Sequence, residues 1–71
     1  EEVDIVVYTP ERLLPVEVKS DKKIQTKHLK GLRRFLQKED ERIGVLVGRF
    51  EDVDILDDDK IKIYMLPYWM I

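Results

Sequence analysis

Residues 13–19, LLPVEVK, decide the fold that the sequence predicts. They form a short run rich in leucine and valine, and β-branched residues of this kind are enriched in β-strands. Residues 3–8, VDIVVY, form a similar run, and the four residues 9–12 separate the two. Two short apolar runs joined by a short loop predict a β-hairpin.

This hairpin would gather three charged side chains on one face. If residues 9–12 are the only unpaired residues, Asp4 lies directly opposite Glu17, and the side chains of opposite residues share a face of the sheet. Lys19 shares that face too, because side chains alternate along a strand with a period of two. The sequence therefore predicts a cluster of two carboxylates and one ammonium group.

The hydrophobic period changes after the hairpin. Within residues 24–38 apolar side chains recur at helical spacing, which predicts an amphipathic helix. Residues 43–47, IGVLV, form the continuous apolar run that is typical of a strand covered on both faces. A helix between two strands predicts a right-handed crossover, so residues 43–47 should pair in parallel with the second strand. We expect Val16 and Val18 to point into the helix-covered core.

The rest of the chain predicts a second hairpin and a short tail. Residues 53–56 and 61–66 flank a turn of acidic residues, and residues 68–71 are expected to fold back so that Tyr68 and Trp69 close the small core. The alternative is that these two rings face a missing part of a longer protein. The predicted order is β-β-α-β-β-β. The fold class is α/β (α+β by some definitions), a mixed sheet with one main helix.

Composition excludes several kinds of site. The chain has 71 residues, no cysteine and one histidine, which rules out a disulfide framework, a thiol nucleophile and a histidine-rich metal site. No run is long enough for a membrane span, and no signal peptide is visible. Abundant Lys and Glu with no Asn or Ala suit a heat-adapted (thermophilic), cytoplasmic protein. The start, EEVD, has no Met, so we interpret the chain as part of a longer protein.

Charge is strongly segregated along the chain. The net charge is −2, yet residues 19–38 carry +7, while residues 1–18 and 39–59 carry −4 and −7. A concentrated basic segment suits contact with the phosphate backbone of DNA, and the alternative is an ordinary solvated helix face. The predicted nucleic-acid-binding residues are Lys22, Lys23, Lys27, Lys30, Arg34 and Lys38.

The opposed carboxylates of Asp4 and Glu17 need a nearby positive charge, because like charges directly opposite each other are destabilising. Lys19 would supply part of it, and Mg²⁺ or Mn²⁺ would supply more, since hard cations prefer oxygen ligands. A metal held there would activate water for attack on a phosphoryl group, assisted by Lys19. The alternative is an exposed cross-strand salt-bridge cluster that only stabilises the hairpin.

Two other features favour structural roles. His28 lies on the apolar side of the predicted helix. A histidine in that position is more often part of the core than catalytic. The acidic residues between positions 52 and 59 lack the glycine and the glutamate that an EF-hand calcium loop requires. We interpret them as a charged hairpin turn that discourages edge-to-edge aggregation.

The arrangement of Asp4 and Glu17-Val18-Lys19, followed by a helix and another strand, resembles the PD-(D/E)XK nucleases of the restriction-endonuclease-like fold. The resemblance implies that Asp4, Glu17 and the Val18 carbonyl bind Mg²⁺ and that Asp4, Glu17 and Lys19 are the catalytic residues. That family's core begins with a helix and a strand that this chain lacks. Glu1 or Glu2 would have to supply the acid of that helix.

The wider string, from EVDIVV through LLPVEVKS to IYMLPYWMI, is similar to the C-terminal nuclease-like domain of archaeal and bacterial AAA-type ATPases. By resemblance, residues 1–71 are one nuclease-like domain whose partner is an ATPase domain of the same polypeptide. The implied function is metal-dependent cleavage of DNA. The alternative is a catalytically inactive domain that makes nucleic-acid or protein contacts for the ATPase. An open sheet edge at residues 3–8 would also permit a homo-oligomer.

Overall fold

The elements follow one another in the predicted order. A computed structural model describes residues 4–20, 26–58 and 60–70, with the side chains of α1 from residue 29 onward. Five strands and one α-helix, followed by a short 3-10 helix, confirm the mixed α+β class. The elements are β1 (Ile5–Tyr8), β2 (Leu13–Val18), α1 (Thr26–Lys38), β3 (Ile43–Gly48), β4 (Asp54–Asp57), β5 (Lys62–Pro67) and the 3-10 helix η1 (Tyr68–Met70).

The turn of the first hairpin sets its register. Thr9 closes the loop, because its N–H and its hydroxyl both donate to the Arg12 carbonyl at 3.0 Å, and its Oγ1 accepts the Arg12 N–H at 3.0 Å. Tyr8 therefore pairs with Leu13, and β1 and β2 continue antiparallel from there. The predicted register is confirmed.

The sheet has the strand order β1-β2-β3-β5-β4. The three central strands are parallel and the two edge strands are antiparallel to their neighbours. Helix α1 connects β2 with β3, so the predicted parallel pairing of those strands is confirmed. Pro15 precedes the first pair of that parallel ladder, Val16 with Val45, so its missing N–H interrupts no ladder hydrogen bond.

Glu41 holds the end of α1 to the start of β2. Asp40 adopts a left-handed conformation with φ 56°, and the Glu41 N–H then donates to the Leu36 carbonyl at 2.8 Å. This is the hydrogen bond of a Schellman helix end. The Glu41 carboxylate accepts the Leu13 N–H at 2.9 Å, which satisfies a strand donor ahead of the ladder.

The core lies between α1 and one face of the sheet. Helix α1 packs on β2 and β3, and Gly44 allows the close approach, since a Cβ there would lie 3.2 Å from Leu32 Cγ. The buried cluster consists of Leu32, Leu36, Leu46, Ile61 and Ile63.

The helix covers the face opposite to the predicted one. Leu46 belongs to the helix-side core, and it is in register with Glu17, so Glu17 points toward the helix layer. Val18 is 41% exposed. The expectation that Val16 and Val18 face the helix is therefore wrong. Alternation along one strand shows which side chains share a face, whereas the crossover decides which face becomes covered.

The other face of the sheet is apolar and open. Ile5, Val7, Val18 and Ile55 are between 41% and 51% exposed on it. Helix α1, the single α-helix in residues 4–20, 26–58 and 60–70, lies on the opposite side. No helix in these residues is both long and apolar enough to cross a lipid bilayer.

The tail returns to the sheet but does not close the core. The Tyr68 hydroxyl donates to the Lys19 carbonyl at 3.1 Å, so the predicted fold-back is confirmed. Trp69 is 71% exposed and Tyr68 is 39% exposed, so their predicted role in closing the core is wrong. Pro67, the last residue of β5, is fully buried. Tyr68 and Trp69 follow Pro67, the last paired residue of β5, so their rings lie beyond the paired part of the sheet.

Candidate functional site

The candidate site lies at the carboxyl end of β2, beside the start of β1. Continuing the ladder by one residue beyond the pair Ile5 and Val16 places Asp4 opposite Glu17. The Val18 N–H donates to Asp4 Oδ2 at 2.8 Å, so Asp4 takes the place of a ladder acceptor. In an extended strand the carbonyl of a residue leaves on the same side as its N–H, so the Val18 carbonyl also points toward Asp4.

Glu17 is the buried member of the cluster. It is only 7% exposed, and its Oε2 lies 3.1 Å from the Lys19 ammonium nitrogen. The second oxygen, Oε1, is buried and has no hydrogen-bond partner. A buried carboxylate oxygen without a donor costs about 1–3 kcal/mol or more. A cation or a donor beside Oε1 would remove that cost.

Lys19 is held at its backbone on both sides. Its N–H donates to the Val47 carbonyl at 2.9 Å, and its carbonyl accepts the Tyr68 hydroxyl at 3.1 Å. The side chain is 33% exposed. The ammonium group is therefore paired with Glu17 while part of the side chain still reaches solvent.

The cluster offers oxygen donors of the kind that Mg²⁺ takes. Asp4, Glu17 and the Val18 carbonyl lie at the same end of β2, and Glu17 Oε1 is unpartnered. Mg²⁺ usually binds to proteins through one or two carboxylates and keeps several waters or substrate phosphates. The donor set therefore fits the ion. No group of three or more His, Cys, Asp or Glu side chains arranged to hold a metal occurs within the described ranges.

The six predicted nucleic-acid-binding residues are called the basic stripe below, and the structure describes the side chains of three of them. Lys30, Arg34 and Lys38 are exposed on α1. Lys30 is the first of the three along α1, the helix that follows β2 in the chain. Lys22 and Lys23, and the side chains of Lys27 and His28, lie outside what the structure describes.

The neighbouring Arg33 does not belong to the stripe. Its guanidinium lies 2.9 Å from Asp58 Oδ2 and holds α1 to the end of β4. Asp54, in the same acidic segment, accepts the N–H of Ile55 at 2.8 Å. Both acids therefore have structural partners at the second hairpin.

Tyr68 is the neighbour of the site that sequence reasoning missed. It was expected to fill the core, yet its hydroxyl donates to the backbone of Lys19. The signal was available, because Tyr68 directly follows a strand parallel to β2 through β3, and the carboxyl ends of parallel strands meet at one edge of a sheet.

Comparison with known proteins identifies one family. The model of the domain of unknown function DUF4143 matches residues 1–69. The chain belongs to this family. DUF4143 domains are commonly found in ATPase-associated proteins. Neither a curated protein nor a solved structure matches the chain.

Proposed function

We propose that this DUF4143 chain is a metal-dependent phosphodiesterase domain that acts on DNA and belongs to an ATPase polypeptide. The observation that supports it is the buried Glu17 Oε1, which has no partner although it lies in a cluster with Asp4 and Lys19. A natural protein leaves few buried polar groups unsatisfied, and those few call for an explanation such as an ion.

Each residue of the cluster would have a distinct role. Asp4, Glu17 and the Val18 carbonyl would hold Mg²⁺ or Mn²⁺. When bound, such an ion supplies a Lewis acid that offsets negative charge on a phosphoryl oxygen. The Lys19 ammonium lies 3.1 Å from Glu17 Oε2, and in this proposal it would orient a water or donate to a phosphoryl oxygen.

The basic stripe would hold the DNA backbone. Lys30, Arg34 and Lys38 are exposed on α1, and Lys22, Lys23 and Lys27 precede them in sequence. Cations bind phosphates with little regard to base sequence and release counterions as they do so. Binding should therefore weaken steeply with salt.

A specific observation also favours the inactive alternative, a domain that makes nucleic-acid or protein contacts for the ATPase. Asp4 already accepts the Val18 N–H, and Glu17 already pairs with Lys19. The cluster is therefore held together without an ion. A salt-bridge cluster that only stabilises the hairpin would have these same contacts.

Cleavage of labelled DNA in Mg²⁺ or Mn²⁺ separates the two functions. We expect Asp4→Asn, Glu17→Gln and Lys19→Met each to lower the rate by about 100-fold or more, because the first two remove a carboxylate that would hold the ion and the third removes the charge that would face the phosphoryl oxygen. Asp54→Asn is the matched control, since that exposed acid lies on β4. Circular dichroism checks that each variant is folded.

Cleavage that persists in all three site variants would refute the phosphodiesterase. If the unaltered chain cleaves nothing with either ion, the contact domain is the better proposal. In that case Lys30→Glu and Arg34→Glu should weaken DNA or partner binding while the fold is kept, since both side chains are exposed.

A further inference from the structure

We propose that Trp69 is a stacking platform for an unpaired nucleobase beside the candidate site, so that the substrate is single-stranded or frayed nucleic acid. The inference rests on the proposed function and adds a substrate class to it. The juxtaposition that carries it is the hydrogen bond from Tyr68, the residue before Trp69, to the backbone of Lys19.

The hydrogen bond ties the aromatic turn, η1, to the candidate site. The Tyr68 hydroxyl lies 3.1 Å from the Lys19 carbonyl oxygen, and the ammonium group of the same lysine lies 3.1 Å from Glu17. Gly48 lies next to this carbonyl, because a Cβ there would be in van der Waals contact with the Lys19 oxygen at 3.4 Å. The turn is therefore anchored to the residue whose ammonium group pairs with Glu17.

The indole itself is left open to solvent. Trp69 is 71% exposed, whereas tryptophan is highly buried on average in folded proteins. Single-strand-binding proteins use exposed aromatic rings in this way, because every base has a π-face and stacking tolerates any sequence. In a duplex both faces of a base are covered by its neighbours, so the ring can engage only an unpaired base.

The cations available to a polyanion lie on α1 and not in the turn, because Lys62 begins β5 at the end of the strand opposite to η1. Helix α1, on which Lys30 and Arg34 are exposed, comes after the carboxyl end of β2 in the chain. In this proposal a single nucleic-acid strand contacts α1 through its phosphates and places one base on Trp69.

Intrinsic fluorescence tests the proposal directly, because Trp69 is the one tryptophan in the chain. The full chain carrying Glu17→Gln is titrated without divalent ions, so that no cleavage occurs. The probes are an oligothymidylate, an abasic deoxyribose-phosphate strand of equal length and a duplex of equal length. We expect the oligothymidylate to quench Trp69, and the abasic strand and the duplex to leave its fluorescence nearly unchanged.

Affinity for a labelled single strand gives the second readout. Trp69→Ala should weaken binding about 5- to 150-fold, the range that loss of one base stack produces. Trp69→Phe should recover part of it, since a phenyl ring also stacks. Met70→Ala is the control, because Met70 is the adjacent residue, is 48% exposed and carries no ring.

Three results would overturn the proposal. They are equal quenching by the abasic strand, tighter binding of the duplex, and unchanged affinity in Trp69→Ala. The last would be expected if the indole instead docks a protein. Failure of the proposed function is distinguishable, because stacking is measured without metal and without cleavage. A chain that cleaves nothing but shows base-dependent quenching would refute the phosphodiesterase and leave the platform standing.

Discussion

Replacing Lys19 with methionine would leave a buried carboxylate without its cation. Glu17 is 7% exposed, and its Oε2 lies 3.1 Å from the Lys19 ammonium. Methionine keeps most of the apolar stem and removes the charge. Glu17 Oε1 already has no hydrogen-bond partner, and Oε2 would now lose its contact with the ammonium group. The free energy of unfolding should therefore fall.

The size of the loss follows from how deeply the pair is buried. Removing one partner of a fully buried pair costs about 3–5 kcal/mol. The Lys19 side chain is 33% exposed, so water screens part of the interaction. We therefore expect a loss of about 2 kcal/mol, after discounting for that screening. In a domain of this size the loss should lower the Tm by about 8–16 °C.

Urea unfolding in EDTA provides the assay, arranged as a double-mutant cycle. Lys19 makes further contacts, so the single variant alone does not isolate the pair. Glu17→Gln removes the buried charge, and the double variant should be more stable than Lys19→Met. The coupling should be about 1–2 kcal/mol. Additive single effects, within about 0.5 kcal/mol, would refute the buried-pair argument.

The same variants report on the cation. If Asp4 and Glu17 hold Mg²⁺, the ion should replace the missing ammonium and raise the Tm of Lys19→Met, because a ligand that binds only the folded state stabilises it. The double variant, which lacks the Glu17 carboxylate, should respond less. An equal response of both variants to Mg²⁺ would argue against a site at Glu17.

Two further predictions concern the fold. Asp40→Gly should raise the free energy of unfolding by about 0.5–1 kcal/mol, because Asp40 has φ 56° and glycine adopts that conformation without strain; a urea titration that detects no gain would contradict this. Leu46→Ala should cost about 2–5 kcal/mol, since Leu46 is fully buried under α1. Val18 is 41% exposed on the open face, so Val18→Ala should lower the free energy of unfolding by less than about 1 kcal/mol. If Val18→Ala cost more than Leu46→Ala, the conclusion that α1 covers the face of Leu46 would be wrong.

The register of the first hairpin was predictable because it depends on local chemistry. Four residues separate two apolar runs, and the Thr9 side chain closes their turn by bonding within the loop. Once the turn is set, the period of two places Asp4 opposite Glu17 without any long-range information. The same holds for α1, whose buried Leu32 and Leu36 follow helical spacing.

Burial at the candidate site was not predictable in this way. Glu17 and Val18 are adjacent in one strand, and hydropathy favours the valine as the buried residue. The opposite holds, because α1 packs over the face that carries Leu46 and Glu17. The side chain's surroundings therefore come from residues of β3 and α1 that are distant in sequence.

The sequence by itself determined the order of the elements, the parallel crossover and the proximity of Asp4, Glu17 and Lys19, because each depends on turn chemistry or on periodicity. The tertiary structure alone decided that Glu17 is buried with one oxygen unpartnered, and that Tyr68 bonds to Lys19 while Trp69 stays exposed. The physical reason is that packing selects which face of the sheet the helix covers and where η1 lies relative to that layer. Neither choice is encoded in the spacing of neighbouring residues.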